Sequence, residues 1–389
     1  MTRVAVVGAG MSRFGTRPET LRALFREAFD ECLATVDKGV AVEDIGEAYV
    51  GSVGFGGLQL GNLSALLAHE IGAAGVPARR VENACASSGF AFRDAVAAVR
   101  SGACDLALAA GVEKMNDVSG LHQRYWLGVS GETEWERLAG LTFPGVYALL
   151  AQRHMIEYGT TREDLAAVAV KNHANGAKNP KAQFQREITP QQALAAPMVA
   201  DPLGLFDCCS TTDGAACVLV AGEDLARRLT DAPVWVAGAG AASDRLAAHE
   251  RPSLTRLDAS TRASRAAYSE AGVGPQDVDV AEVHDCFTIA EILAVEDLGF
   301  VPKGEGGPWT AEGRSRIGGD VAVNPSGGLK AKGHPLGATG AGQIRELFLQ
   351  IRGEAGPRQA ADAEVALAHN VGGSGATCAV HVLTKEVPA

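Results

Sequence analysis

Two short segments half a chain apart repeat one another. Val4-Ala5-Val6-Val7-Gly8-Ala9-Gly10 and Val234-Trp235-Val236-Ala237-Gly238-Ala239-Gly240 are identical at five of seven positions. Each reads as a buried strand running into a glycine turn, and each opens roughly half of the 389 residues. A chain of this length built that way folds as two similar units rather than around one small core. In the first half helices are predicted near Thr20–Thr35, Asn62–Ile71 and after Cys85, with strands at Ala48–Val53 and Asp105–Val112. In the second, helices are predicted near Thr255–Ala271, Ile289–Leu298 and Ala341–Arg352, with strands leading to Val283 and at Glu364–Ala368 and Ala376–Thr384. Strands alternating with helices specify α/β layers. Composition agrees, because 47% hydrophobic residues with only 5% aromatics and 47 Gly suit helices packed closely on sheets buried on both faces.

Between the halves the texture changes. Ser119 to about Ala200 holds two of the four Trp and a Lys/Asn-rich run, Lys171–Lys181, and reads as an excursion laid over one face of the core. Thr211–Ala221 then returns to a buried strand. Gly8-Ala9-Gly10 after a strand invites a dinucleotide-binding assignment, but the third glycine of that fingerprint would fall at Arg13. The residue that lets helix and strand pack there is missing, so a Rossmann site is rejected.

A net charge of −11 argues against a nucleic-acid binder, and an anionic ligand would need a local cluster of cations. Eight scattered cysteines without a CxxC pair are neither a disulfide framework nor a zinc site, and fit a reducing cytosol. The N-terminus runs straight into a strand pattern, and Lys385–Ala389 carries no peroxisomal or retention signal. No apolar run approaches the ~20 residues of a membrane span. A cytoplasmic protein is expected, with no membrane or nucleic-acid partner and no metal.

Four segments carry candidate chemistry. Glu82-Asn83-Ala84-Cys85-Ala86-Ser87-Ser88-Gly89 sets a thiol at a strand-to-helix junction, where free N–H groups and the helix dipole favour the thiolate. A free cysteine is equally a common packing residue. Val283-His284-Asp285-Cys286-Phe287-Thr288 sits at another strand end. Its His and Cys could be core residues or metal ligands, but no second pair completes a tetrahedral site. Gly328–Gly340 surrounds His334-Pro335 with glycines, as a tight loop against a ligand would. Ala368–Gly375 reads as a glycine turn after a buried strand, able to aim N–H groups at an oxyanion or to serve as a plain turn.

Together these segments resemble the thiolase superfamily, and most closely the SCP2-type thiolases, over essentially the whole chain. The resemblance also covers Val4–Met11, Asp201-Pro202-Leu203 to Asp207-Cys208-Cys209, and Thr212–Ala216. It implies a thiolase fold: two repeated βαβαβαββ halves in a layered α-β-α-β-α core with an inserted loop domain. The implied boundaries are 1–118 plus 201–230 for the N-terminal half, 119–200 for the loop domain and 231–389 for the C-terminal half.

Residue by residue, Cys85 matches the nucleophile that carries the acyl group. His334 matches the histidine that deprotonates it and also donates to the thioester oxygen. His284 takes the place of the asparagine that holds a water in the first oxyanion hole of conventional thiolases. The backbone amides of Cys85 and Gly372 would form the second hole. Conventional members keep a second cysteine in a Cys-x-Gly turn; here the turn reads Asn370-Val371-Gly372, so Cys286 becomes the acid/base candidate. Lys171, Lys178, Lys181 and Arg186 are candidate CoA ligands, against the alternative that each is a solvated surface charge. The implied reaction is cleavage of a 3-ketoacyl-CoA by CoA, with coenzyme A as substrate and no tightly bound cofactor. The implied assembly is a homodimer or tetramer. Rival readings are a retro-aldol lyase on steroid side-chain CoA esters, in relatives with a small OB-fold partner subunit, a condensing acyltransferase of secondary metabolism, and a non-catalytic scaffold.

Overall fold

The computed structural model describes residues 2–387. In chain order its strands are β1 (Val4–Met11), β2 (Glu47–Gly51), β3 (Ala78–Val81), β4 (Leu106–Glu113), β5 (Met198–Ala200), β6 (Leu203–Gly204), β7 (Gly214–Gly222), β8 (Val234–Ser243), β9 (Val280–Glu282), β10 (Ala322–Val323), β11 (Val365–Gly372) and β12 (Thr377–Thr384). The helices are α1 (Leu21–Ala34), α2 (Leu63–Glu70), α3 (Ser87–Arg100), α4 (Gly120–Gly128), α5 (Phe143–Tyr158), α6 (Arg162–Gly176), α7 (Pro190–Leu194), α8 (Glu223–Leu229), α9 (Asp258–Ala271), α10 (Thr288–Asp297), α11 (Gly306–Ala311), α12 (Gly328–Lys332) and α13 (Thr339–Arg352).

The large sheet runs β10-β9-β11-β12-β8-β1-β7-β4-β2-β3. Counted within each half, both sides of the β8–β1 junction have the order 1-5-4-2-3. In both, the fifth strand is antiparallel to its neighbours and the second is parallel to the third and fourth. The junction itself is only Ala5↔Trp235 and Val6↔Val234, so the two halves of the sheet are barely laddered together. Helices α3 and α13 touch strands of both halves, α1 and α2 cover the first half, and α9 lies on β8 and β12. This is the layered α/β arrangement that the resemblance implied.

The repeated glycines have a packing reason. A Cβ on Gly10 would collide with Ala28 O and Cys32 N of α1, and one on Gly240 with Ala263 O of α9. In each half a helix lies directly on the opening strand, at a distance only glycine permits. The register also slips at the same place in both: Val7 is skipped between β1 and β7, and Ala237 between β8 and β12.

Two boundaries differ from expectation. β11 pairs with β12 through Gly372↔Thr377, so His369 and Asn370 lie in a buried strand and the turn after it is shorter. α9 begins at Asp258, and the N–H of the residue before it, Leu257, donates to Asp297 Oδ2 at 2.8 Å. Among the described residues no helix is long and apolar enough to cross a membrane.

Candidate active site

The chain turns sharply between β3 and α3. Ala84 takes φ +51, a left-handed conformation that costs a residue with a Cβ about 1–3 kcal/mol. Hydrogen bonds offset it: the Ala84 N–H donates to Glu82 Oε1 (2.7 Å), and Ser87 Oγ accepts from the Asn83 N–H (3.0 Å) while donating to Ala84 O (2.6 Å). The result sets Cys85 against a cavity of about 100 Å³ that Cys286, His334, Met115, Leu127 and Phe143 also line. Cys85, His284 and His334 present ligand-type atoms within 4.8 Å of one another. Three segments far apart in sequence converge there.

Burial overrides the helix-start argument for Cys85. α3 begins two residues later, and desolvation pushes the thiol up to about 12 even though a backbone hydrogen bond from Gly373 opposes this. The resting group is a thiol. His334 is buried beside it. Burial, with Lys332 nearby, lowers it to about 3, so the ring is neutral at pH 7. The backbone N–H of His334 donates to Thr212 Oγ1 (2.9 Å). Nδ1 lies 2.7 Å from Thr339 Oγ1, whose own hydrogen goes to Pro335 O (3.0 Å). Thr339 therefore accepts from Nδ1–H, and the buried, unpartnered Nε2 is left as a bare base.

His284, two residues past β9, is neutral as well; burial, then His334 and His369, hold it well below its usual range. The two imidazoles meet edge to face, 5.1 Å apart. Cys286 is buried on the same cavity, and its thiol is likewise raised by desolvation. Its carbonyl accepts from the Cys209 N–H at 3.0 Å.

Gly372 ends β11, and a Cβ there would collide with Asn83 O. The turn residue that lines the cavity and hydrogen-bonds the Cys85 thiol is its neighbour Gly373.

Of the four cations expected to meet CoA, Lys171 is misassigned. It is buried in α6, donating to Val323 O (2.8 Å) and paired with Glu291 (2.9 Å). Lys181 is half-buried and held by Met11 O and Glu31. Lys178 and Arg186 are exposed, and neither lines the cavity.

Several supporting residues carried no sequence signal. Asp285 accepts from the Leu329 N–H (2.6 Å), the Lys330 N–H (3.2 Å) and Asn172 Nδ2 (2.7 Å), tying the His284–Cys286 segment to the helix that leads to His334. Burial, then Glu291, raises its carboxyl to about 7. Glu113 gathers the N–H groups of Val53, Phe55 and Gly337. Tyr147 of α5 donates to Gly373 O (3.1 Å), and Arg251 holds the next residue of that turn through Ser374 O (2.5 Å).

The profile "Thiolase, N-terminal domain" matches residues 4–224, and "Thiolase C-terminal domain-like" matches 240–385. The chain belongs to the thiolase family. This thiolase is 48% identical over 388 residues to the acetyl-CoA acetyltransferase of Methanothermobacter thermautotrophicus, covering 99% of this chain and 100% of that protein. It is 36% identical to sterol carrier protein 2 of Rattus norvegicus, covering 97% of this chain and 71% of that protein, so it is of the SCP2 type. Among solved structures, the Ltp2-ChsH2(DUF35) aldolase superposes with a TM-score of 0.85 at 24% identity over 98% of both chains. An SCP2-thiolase like protein from Mycobacterium smegmatis does so with 0.75 at 20% identity, over 99% of this thiolase and 78% of that chain. Those two likenesses bear on fold. The acetyltransferase relatives and family domains make the protein an acyltransferase.

Proposed function

We propose that this thiolase moves an acyl group between CoA thioesters through Cys85, cleaving a short 3-ketoacyl-CoA with CoA or running the reverse condensation. The observation that carries the reading is the convergence of Cys85, His284 and His334 within 4.8 Å, on a cavity that Cys286 also lines. In the first half-reaction the Cys85 proton passes to His334 Nε2 as the sulfur attacks the keto carbon. The C2–C3 bond breaks, leaving the acyl group on sulfur and an acetyl-CoA enolate. The enolate oxygen is held by the His284 side of the cavity, and Cys286 gives its proton to C2. In the second half-reaction Cys286 thiolate takes the proton of incoming CoA. The CoA sulfur attacks the acyl-cysteine, and the departing Cys85 thiolate recovers its proton from His334.

The small cavity and the relatives named acetyl-CoA acetyltransferase favour a short acyl chain. Assembly as a homodimer belongs to the same reading, with a DUF35-type partner, as named for the aldolase neighbour, the further candidate. The test is a panel of 3-ketoacyl-CoAs with CoA, followed by mass spectrometry of tryptic peptides. Acylation of Cys85, lost with all turnover in Cys85→Ala, is expected; full turnover by Cys85→Ala removes the mechanism. Release of an aldehyde or ketone from a 3-hydroxyacyl-CoA without added CoA would make the enzyme a retro-aldol lyase.

A further inference from the structure

Asn370 occupies the place where conventional thiolases carry their second cysteine, and its buried amide has three partners. Oδ1 accepts from the Gly89 N–H at 3.2 Å, while Nδ2 donates to the Cys85 carbonyl at 3.0 Å and lies 3.3 Å from His284 Nδ1. Turning the amide over would set its NH2 against the Gly89 N–H and its oxygen against the Cys85 carbonyl. Two independent contacts thus fix the same orientation. The amide N–H facing His284 Nδ1 can only be met by a lone pair, so the single proton of the neutral ring resides on Nε2. That Nε2 is buried with no partner beside Cys85 and His334. His334 shows the opposite arrangement, its proton drawn to Nδ1 by Thr339. The same thiol is therefore faced by one ring nitrogen that donates and one that accepts.

We infer that Asn370 is a positioning residue that locks His284 as its Nε2–H tautomer and so supplies the donor for the enolate oxygen. The inference rests on the role given to His284 in the proposed reaction. A thiol at position 370 would have no second hydrogen to hold the Cys85 carbonyl and His284 Nδ1 together. The substitution of Asn for Cys and that of His for Asn at position 284 therefore act as one unit.

The direct measurement is 15N NMR of histidine-labelled wild-type enzyme, with His284 assigned from the His284→Asn variant. A protonated Nε2 and a bare Nδ1 are expected; a proton on Nδ1 overturns the inference. The second measurement is a double-mutant cycle. Asn370→Leu frees the ring to exchange tautomers and is expected to lower kcat by roughly 10- to 100-fold, within the worth of one oxyanion donor, with KM nearly unchanged. His284→Ala should lose as much or more, and the double variant no more than His284→Ala. Multiplicative losses would mean that Asn370 acts by another route and would overturn the inference. If His284→Ala alone keeps its kcat, the role of His284 in the proposed reaction falls, and the tautomer stands or falls on the NMR result.

Discussion

Tyr147 donates its phenol hydrogen to Gly373 O at 3.1 Å while its ring stacks on Phe287, 4.5 Å between centroids. One side chain from the segment between the halves thus touches the turn beside Cys85 and the residue next to Cys286. The same hydroxyl lies beside the Cys286 thiol, which burial raises. Tyr147→Phe keeps the stack and removes the hydrogen bond to Gly373 and the hydroxyl beside Cys286. The expected outcome is a loss of about 1–3 kcal/mol in urea unfolding, from a buried carbonyl left without its donor. Exchange of the acetyl-CoA α-protons should slow, with Cys85 acylation intact. An exchange rate equal to wild type would separate the phenol from the thiol.

Lys171 answers Glu291 inside the protein. Lys171→Met leaves that carboxylate uncompensated and is expected to cost about 3–5 kcal/mol, read from denaturant midpoints. Exposed Lys178→Ala should stay within about 0.5 kcal/mol. If Lys171→Met instead unfolds like wild type and raises KM for CoA, the buried pair is not its function.

The glycines of the repeated strands make a symmetrical prediction. Gly10→Ala and Gly240→Ala each push a methyl into the backbone of the helix above. Each should therefore destabilise by about 1–3 kcal/mol, as overpacked sites do. Thermal melts of the two variants should fall together; an unaffected Gly240→Ala would mean the second half packs its helix differently.

Asp297 sets a pH dependence. Burial raises its carboxyl from 3.8 to about 6 despite the Lys303 ammonium beside it, and Glu296 adds to the rise. The folded state therefore binds this proton more tightly than the unfolded chain. Its contribution to stability is complete below pH 4 and is lost as pH rises through 6, on the order of 2–3 kcal/mol at about 1.4 kcal/mol per unit. Asp297→Asn removes that slope. Urea unfolding at pH 4, 5, 6 and 7 compares the two, and equal slopes would contradict the assignment.

Much of this was legible in the chain, for reasons that can be named. The glycine pairs at Gly8-Ala9-Gly10 and Gly238-Ala239-Gly240 announced the duplication, because close helix-on-strand packing admits no other residue. Cys85, His284, Cys286 and His334 were marked by reactive types set at strand ends or among glycines. Lys171 was not legible as a core residue. A Lys/Asn-rich run looks solvated until α6 turns Lys171, Asn172 and Asn175 toward the same buried side. The state of Cys85 was hidden as well, since the helix-start argument is local and desolvation depends on everything packed around the thiol. Hydrogen-bond direction at His284 and His334 depends on Asn370 and Thr339, whose partners are fixed only by the assembled strands.

Cys85 lies in the first repeat, whereas His284, His334 and Cys286 lie in the other. At the seam α3 and α13 come so close that a Cβ on Gly340 would collide with Gly89 N. A break at the exposed Asp231–Ala232 would therefore separate Cys85 from His334 without removing a residue of either half. Two fragments expressed as separate polypeptides would each be inert, and turnover on mixing would count only reassembled pairs. The enzyme's own chemistry could then serve as a titration of how strongly its two halves recognise each other.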